Sequence, residues 1–226
     1  QIDWVTGGAS NWNIEYGVSG FTLGTGTMMN ASSNSVSLNS LSGNTTYDVY
    51  VRDSCGPGDV SPWASTSFTT PCSPSSVPTI IDFTGAFPPS CWVEGDGGNP
   101  ATGPTTLGTG AWTTDGFGNV GTSGAMKINL FNVGDQDWVI TSEFDLTTGG
   151  PYQLEFDFGV FVFGNTSSGT LGSDDEVQVL VSTDNGVTWT NLATYNNSYI
   201  TNAGGNHEII DLAAYSGNTI RLAFWA

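Results

Sequence analysis

The spacing of apolar residues constrains the fold most, because it follows the two-residue period of β-strands and nowhere shows a convincing helical period. The 31 glycines and the charged fraction of only 11% agree with this pattern, since helix surfaces normally need Lys, Glu and Arg. An all-β protein is therefore predicted. Apolar or alternating runs separated by Gly, Asn and Ser clusters fill the second part of the chain, at residues 138–140, 152–163, 177–181, 208–212 and 219–225.

The chain is strongly acidic. Arg52, Lys127 and Arg221 stand against 21 acidic residues, which gives a formal net charge of -18. Such a field repels phosphate backbones and anionic lipid headgroups, and no apolar run approaches the roughly 18 residues of a membrane span. We therefore expect no nucleic-acid partner and no direct membrane insertion. The same field favours cations, and calcium is the expected companion.

The first 70 residues contain at least three strand patterns. Residues 2–5 and 12–16 alternate apolar and polar side chains around a Gly-Gly pair, which predicts a hairpin. Residues 48–52 predict a further strand, in which Val49 and Val51 share one face.

These residues resemble a fibronectin type III domain. The resemblance rests on Trp4 in strand B, residues 12–16 in strand C, the Leu41 to Tyr47 spacing of the tyrosine corner, and residues 67–70 in strand G. It is closest to the versions found in tandem in large secreted bacterial proteins. It covers about residues 1–70 and lacks strand A, so we expect the chain to begin inside a domain.

A linker and a second module follow. Residues 71–78 hold three prolines and no apolar periodicity, which indicates a short, stiff linker. Beyond it, residues 137–146, 154–158 and 177–184 resemble the jelly-roll modules related to MAM domains and to the cleaved-adhesin domains of bacterial exoproteins. That resemblance covers residues 79–226.

The expected fold is thus a fibronectin type III β-sandwich followed by a β jelly-roll sandwich. In the jelly-roll family a final strand follows the segment that matches residues 220–225, and here the chain stops at Ala226. We expect both modules to be truncated at the chain ends, with the missing strands supplied elsewhere in a longer protein or by a neighbouring molecule.

Residues 182–189, Ser-Thr-Asp-Asn-Gly-Val-Thr-Trp, fit the Asp-box pattern found in sialidases. Asp184 and Gly186 are suited to closing a tight hairpin while Trp189 packs beneath it. Because glycosidases carry several copies in a propeller and this chain has one, the box is interpreted as a turn.

Acidic residues cluster at Asp135 with Asp137, at residues 174–176, and at Glu94 with Asp96, and most of them are expected to be solvated surface. The jelly-roll resemblance implies a structural Ca²⁺ between the first strand and a loop carboxylate, where hard oxygen ligands suit the ion. The expected calcium ligands are Asp82, Asp174 and Asp175.

Three cysteines are present. Cys55 and Cys72 follow antiparallel strands in the fibronectin assignment, so roughly 20 Å separates them, which is too far for a bond. Cys72 and Cys91 flank the linker and the first jelly-roll strand, and a disulfide between them would join the modules. Cys55 would then seek a partner in the absent strand A segment. An extracellular location fits this interpretation.

Eight tryptophans and seven tyrosines could provide a sugar-stacking platform. Trp92 and Trp112 are the expected ligand-binding residues, with Trp63 and Trp225 as further candidates. Trp4, Trp12, Trp138 and Trp189 are expected in cores or under turns.

The sequence predicts that the chain is not an enzyme. His207 is the only histidine, and neither a nucleophile elbow nor a zinc-protease motif occurs. No spacing singles out a catalytic carboxylate pair. The resemblances imply a non-catalytic segment of a secreted, cell-surface or filament-forming bacterial adhesin that mediates adhesion or assembly, with a glycan, a surface ligand or neighbouring copies as partner. The alternative is an accessory carbohydrate-binding region of a secreted polysaccharide hydrolase or protease.

Overall fold

A computed structural model describes residues 1–131 and 134–226 of the chain. Strands account for 42% and helices for 3% of the structure, so the all-β prediction is confirmed. Two separate units are present, Gln1–Ser73 and Pro74–Ala226. The division between them falls within residues 71–78, where the linker is predicted.

The first unit contains two antiparallel sheets. A two-stranded sheet pairs β1 with β4, and a larger sheet has the order β3-β2-β5, with β7 and β6 beside different parts of β5. The strands are β1 (Ile2–Asp3), β2 (Trp12–Val18), β3 (Thr27–Ala31), β4 (Ser35–Val36), β5 (Thr46–Gly56), β6 (Asp59–Val60) and β7 (Ala64–Thr69).

The predicted hairpin between residues 2–5 and 12–16 is wrong. Ile2 pairs with Val36 of β4, and β2 pairs with β3 and β5 instead. The reason lies in the core, where the rings of Trp4 and Trp12 meet edge to face at 5.7 Å. Burying both rings places the two segments in different sheets.

The core of the first unit follows the predicted alternation along β5. Val49 is buried against Trp12 and Ile14, while Tyr50 on the opposite face packs against Trp63. The hydroxyl of Tyr47 accepts a hydrogen bond from the Ser42 N–H at 3.0 Å, which ties the loop before β5 to the strand.

The second unit is built around one large sheet of order β10-β9-β13-β18-β15-β16, with β8 parallel to one end of β13. Strands β14 and β17 form a second sheet, and β11 and β12 form a third pair. The strands are β8 (Ser75–Ser76), β9 (Val93–Asp96), β10 (Thr106–Leu107), β11 (Thr113–Asp115), β12 (Ala125–Lys127), β13 (Asp137–Asp145), β14 (Gln153–Phe158), β15 (Val177–Ser182), β16 (Thr190–Tyr195), β17 (Asn206–Asp211) and β18 (Thr219–Trp225). Two 3-10 turns complete the unit, Phe117–Asn119 and Ala213–Tyr215.

Both faces of the central strands are buried. On one face, Val139, Val179 and Phe224 pack against apolar side chains of β14 and β17. On the other, Trp138 and Leu180 belong to a separate buried layer. This explains why β13, β15 and β18 contain consecutive apolar residues as well as alternating ones.

The predicted linker is only partly free of regular structure. Ser75 and Ser76 form β8, and Val77 packs against the buried cluster around Phe144. Because β8 pairs with an existing strand, the backbone groups of these residues are satisfied without any apolar periodicity of their own.

Candidate functional site

The Asp-box residues form the predicted turn between β15 and β16. One oxygen of Asp184 accepts hydrogen bonds from the Ser182 hydroxyl at 2.7 Å and the Thr188 N–H at 2.9 Å, and the other accepts one from the Thr188 hydroxyl at 2.6 Å. Asn185 and Gly186 both have left-handed φ, at 61° and 86°, as a tight hairpin turn requires. The hydrogen bonds from Thr188 and Ser182 lower the pKa of Asp184 to about 2.

Trp189 at the end of this box packs onto the buried layer of the large sheet. Its ring lies 5.8 Å from that of Trp138, whose indole N–H donates to the Gly97 carbonyl at 3.0 Å. The box therefore anchors a hairpin to the sheet, and none of these contacts requires a substrate.

A second cluster, the acidic pocket, comprises Glu94, Asp96, Asp135 and Asp137. The register of β9 and β13 places Asp96 opposite Asp137, with Glu94 opposite Val139. Asp135 and Asp137 line a cavity of about 200 Å³ together with apolar side chains. Most acidic residues are predicted to be solvated surface, but Asp137 is only 7% exposed.

Burial dominates the electrostatics of the acidic pocket. It raises the pKa of Glu94, and the charge of Asp137 raises it further. Burial also raises the pKa of Asp137, against the effect of a 2.8 Å hydrogen bond from the Ala111 N–H. The Glu94 Oε1 atom is buried and accepts no hydrogen bond from the described residues. The cluster can therefore take up a proton, and local stability should depend on pH.

The residues predicted to bind calcium lie in loops. Asp82 is exposed and accepts hydrogen bonds from the backbone and hydroxyl of Thr84, whereas Asp175 accepts one from the Gly172 N–H at 2.8 Å. The Asp174 carboxylate also lies close to Gly172. Among residues 1–131 and 134–226, no group of three His, Cys, Asp or Glu side chains is arranged to hold a metal. Calcium binding stays a prediction.

The four candidate sugar-stacking tryptophans are buried or half-buried. Trp112 is 7% exposed and belongs to the core of the second unit. Trp92 is half-buried beside the same core and meets Phe83 edge to face. Trp225 is buried, and the Arg52 guanidinium lies 4.3 Å from the centre of the Trp63 ring.

Cys72 and Cys91 form a disulfide, as predicted. Cys55 has a free, exposed thiol.

His207 lies in an exposed cross-strand group. Its Nδ1 atom is 2.9 Å from Asp157 Oδ1, and its Nε2 atom is 3.6 Å from Glu155 Oε2. The hydrogen bond to Asp157 raises the histidine pKa. The contacts are those of a surface ion pair between β14 and β17.

One surface of the second unit has a different composition from the rest of the chain. The uncharged loop surface comprises residues 116–124, 159–171 and 196–206, which contain no Asp, Glu, Lys, Arg or His. In a chain with a formal charge of -18 this is a marked local absence of charge.

Hydrogen bonds and ring contacts join the three loops. The amide of Asn119 donates to the Asn165 carbonyl at 2.6 Å, and the Ser168 hydroxyl donates to the Asn202 carbonyl at 3.2 Å. The Phe117 and Phe161 rings meet edge to face at 5.7 Å. The loops therefore form one surface rather than three separate projections.

Large apolar side chains are exposed on this surface. Phe163 is 77% exposed and Ile200 is 81% exposed, and Val120 and Val162 are exposed as well. Grouped exposed apolar side chains mark interaction sites. In the sequence, this surface is marked only by the absence of charged residues from three separate segments. No residue pattern within a segment indicates that the three segments meet.

No protein family model matches the chain, and neither a curated protein nor a solved structure matches it. In the described part of the chain, no helix has the length and apolar character needed to span a membrane.

Proposed function

We propose that this chain is a non-catalytic segment of a secreted or cell-surface bacterial adhesin, and that it mediates adhesion or assembly. The first unit is assigned as a fibronectin type III domain that acts as a spacer. The second is assigned as a MAM-like jelly roll that carries the binding surface. Structural Ca²⁺ at Asp82, Asp174 and Asp175 is part of the proposal.

The uncharged loop surface is the observation that carries the proposal. A strongly acidic protein is repelled by most biological surfaces, which are themselves anionic. Adhesion therefore requires a region where the charge is interrupted and apolar groups are available. Phe163 and Ile200 provide those groups at loops that are hydrogen-bonded to one another.

The two units and the disulfide support an extracellular setting. Tyr47 and its bond to Ser42 support the fibronectin assignment. The Cys72–Cys91 disulfide supports an oxidising location.

An adhesion assay tests the proposal. Beads coated with the chain are expected to attach to cells, to polysaccharide films or to films of the same protein, and Phe163→Ser with Ile200→Ser is expected to abolish attachment. Val187→Ser is the matched control, because Val187 is 74% exposed but lies in the Asp-box hairpin. Unchanged attachment by the double variant, with circular dichroism showing an intact fold, contradicts the proposal.

An accessory carbohydrate-binding region of a polysaccharide hydrolase or protease is the second candidate. The Asn, Ser and Thr side chains beside the exposed rings favour it, since these groups match sugar hydroxyls. The flanking sequence distinguishes the candidates, because a catalytic domain there supports the accessory role and repeated copies of this pair support an adhesin.

A further inference from the structure

We propose that the uncharged loop surface binds an electrically neutral polysaccharide. This inference rests on the proposed adhesive function and names the chemical class of the ligand. Three observations support it: the charge distribution, the types of polar side chain on the surface, and the hydrogen bonds that order the loops.

The charge distribution disfavours both kinds of charged glycan at this surface. The whole chain has three basic residues and none lies in the three loops. Lys127 is paired with Asp115. A sulfated or uronic polymer would find no cation on the surface and would meet the repulsion of the acidic protein, while a cationic polymer would find no carboxylate there. A neutral chain meets neither penalty.

The polar side chains of the surface are of the types that bind sugar hydroxyls. Apart from Tyr199, they are all Asn, Ser or Thr, which offer neutral donors and acceptors. Asn165, Thr166 and Ser167 are exposed in the same loop, two to four residues after Phe163. One loop therefore presents an exposed aromatic ring together with amide and hydroxyl groups, so the apolar face of a pyranose can pack on the ring while its hydroxyls are hydrogen-bonded.

Hydrogen bonds within and between the loops hold the residues around Phe163. The Val162 N–H donates to the Ser167 carbonyl, and the Asn165 N–H donates to the Val162 carbonyl, both at 2.9 Å. Asn119 adds the bond to the Asn165 carbonyl from a separate loop. A site that is ordered before binding loses less conformational entropy when a ligand arrives.

The same surface fits a second copy of the chain less well. The cores of protein interfaces are enriched in Tyr, Trp, Phe, Met and Arg, and from this set the three loops contain Phe117, Phe161, Phe163 and Tyr199. Two copies of a chain with a formal net charge of -18 nevertheless repel each other as they approach. We therefore expect a polysaccharide rather than a second copy of the chain as the ligand, and the experiment below also measures self-association.

Binding is tested with the full chain against neutral glucan, mannan and galactan, and against sulfated and uronic-acid polysaccharides, at low and high NaCl. We expect binding to a neutral polymer that changes little with salt, because no charges are paired. Phe163→Ser should weaken binding about tenfold through the loss of ring burial. Phe163→Tyr should retain binding, and Val187→Ser should have no effect.

Four results overturn the inference. If the chain binds an anionic polymer in a salt-sensitive way, and Phe163→Ser weakens that binding, the proposed ligand class is wrong. The inference is also overturned if the chain binds no glycan but self-associates in sedimentation experiments, and Phe163→Ser abolishes that self-association. In that case the proposed adhesive function still stands. If no glycan binds, or Phe163→Ser leaves binding unchanged, the inference fails. If bead attachment is also insensitive to the double variant at Phe163 and Ile200, the proposed function fails with it.

Discussion

Asp184 organises a hairpin turn through hydrogen bonds to both of its carboxylate oxygens. Thr188 donates from its backbone and its hydroxyl, and Ser182 donates from its hydroxyl. Because every one of these bonds is made to the ionised form, the pKa of Asp184 falls to about 2 from the ordinary 3.8. The turn is thus stabilised by the negative charge of Asp184.

Asp184→Ala is expected to lower the melting temperature of the second unit at neutral pH. Since the pKa is lowered in the folded state, the stabilisation is present above pH 3.8 and is lost as the pH falls toward about 2. The difference from wild type, measured by thermal unfolding, should therefore shrink over that range. Thr183→Ala in the same turn is the control, because Thr183 is exposed. A difference independent of pH would contradict this account.

The pKa values of Glu94 and Asp137 are raised rather than lowered, so their effect on stability changes with pH in the opposite direction to that of Asp184. Burial and the charge of Asp137 raise the pKa of Glu94, so the folded state gains stability when Glu94 is protonated and loses it as the pH rises through the raised pKa. A group of this kind reduces stability at neutral pH.

Glu94→Gln is expected to raise the free energy of unfolding by about 1 kcal/mol at neutral pH, because it removes an unpaired, partly buried charge. The gain should disappear at acidic pH, where wild-type Glu94 is protonated. Urea unfolding at several pH values measures this. Glu176→Gln is the matched control, since that carboxylate accepts a hydrogen bond from Gln178, and a gain of equal size there would contradict the proposed cause.

Strand pairing shows how elements combine in each unit. Strand β1 joins β4 rather than its neighbour β2, because the rings of Trp4 and Trp12 pack between the sheets. Strand β13 is buried on both faces and carries the acidic pocket at its start, where it meets the end of β9. The sites of interest therefore lie at strand ends and in loops, while strand centres form the cores.

Removal of the Cys72–Cys91 disulfide is expected to lower the free energy of unfolding by about 3 kcal/mol, because the bond closes a loop that is otherwise free in the unfolded chain. Cys72→Ser with Cys91→Ser tests this by urea unfolding, with Cys55→Ser as the neutral control. Alkylation of the denatured, unreduced protein should find one thiol, Cys55. Three reactive thiols would show that the disulfide does not form.

At the scale of the whole molecule the excess of 18 negative charges dominates. Mutual repulsion of carboxylates opposes the folded state, and both salt screening and bound cations relieve it. The proposed adhesive role depends on the interruption of this field at the uncharged loop surface.

Calcium is expected to raise the melting temperature of EDTA-treated protein more than magnesium does at equal ionic strength, because the larger ion accepts more oxygen ligands in flexible sites. Asp175→Asn should reduce the difference in melting temperature between calcium and magnesium, whereas Asp59→Asn in the first unit should not. Identical melting temperatures with EDTA, calcium and magnesium would contradict calcium binding at Asp82, Asp174 and Asp175.

Local patterns were sufficient to predict the all-β class, the strand at residues 48–52 and the Asp-box turn at residues 182–189, because side-chain alternation and turn chemistry depend on neighbours in sequence. The disulfide between Cys72 and Cys91 was also predicted. Strand partners, by contrast, depend on which apolar faces are buried together. That is why the hairpin predicted for residues 2–5 and 12–16 was wrong.

Only the tertiary structure decided which acids are buried and which loops meet. Asp135 and Asp137 are indistinguishable in sequence, yet only Asp137 is held inside, by the pairing of β13 with β9 and by the Ala111 N–H. The three uncharged loops are far apart in the chain and become one surface through long-range contacts. Periodicity determines which face of a strand a side chain occupies, whereas packing between distant segments determines what that face or loop meets.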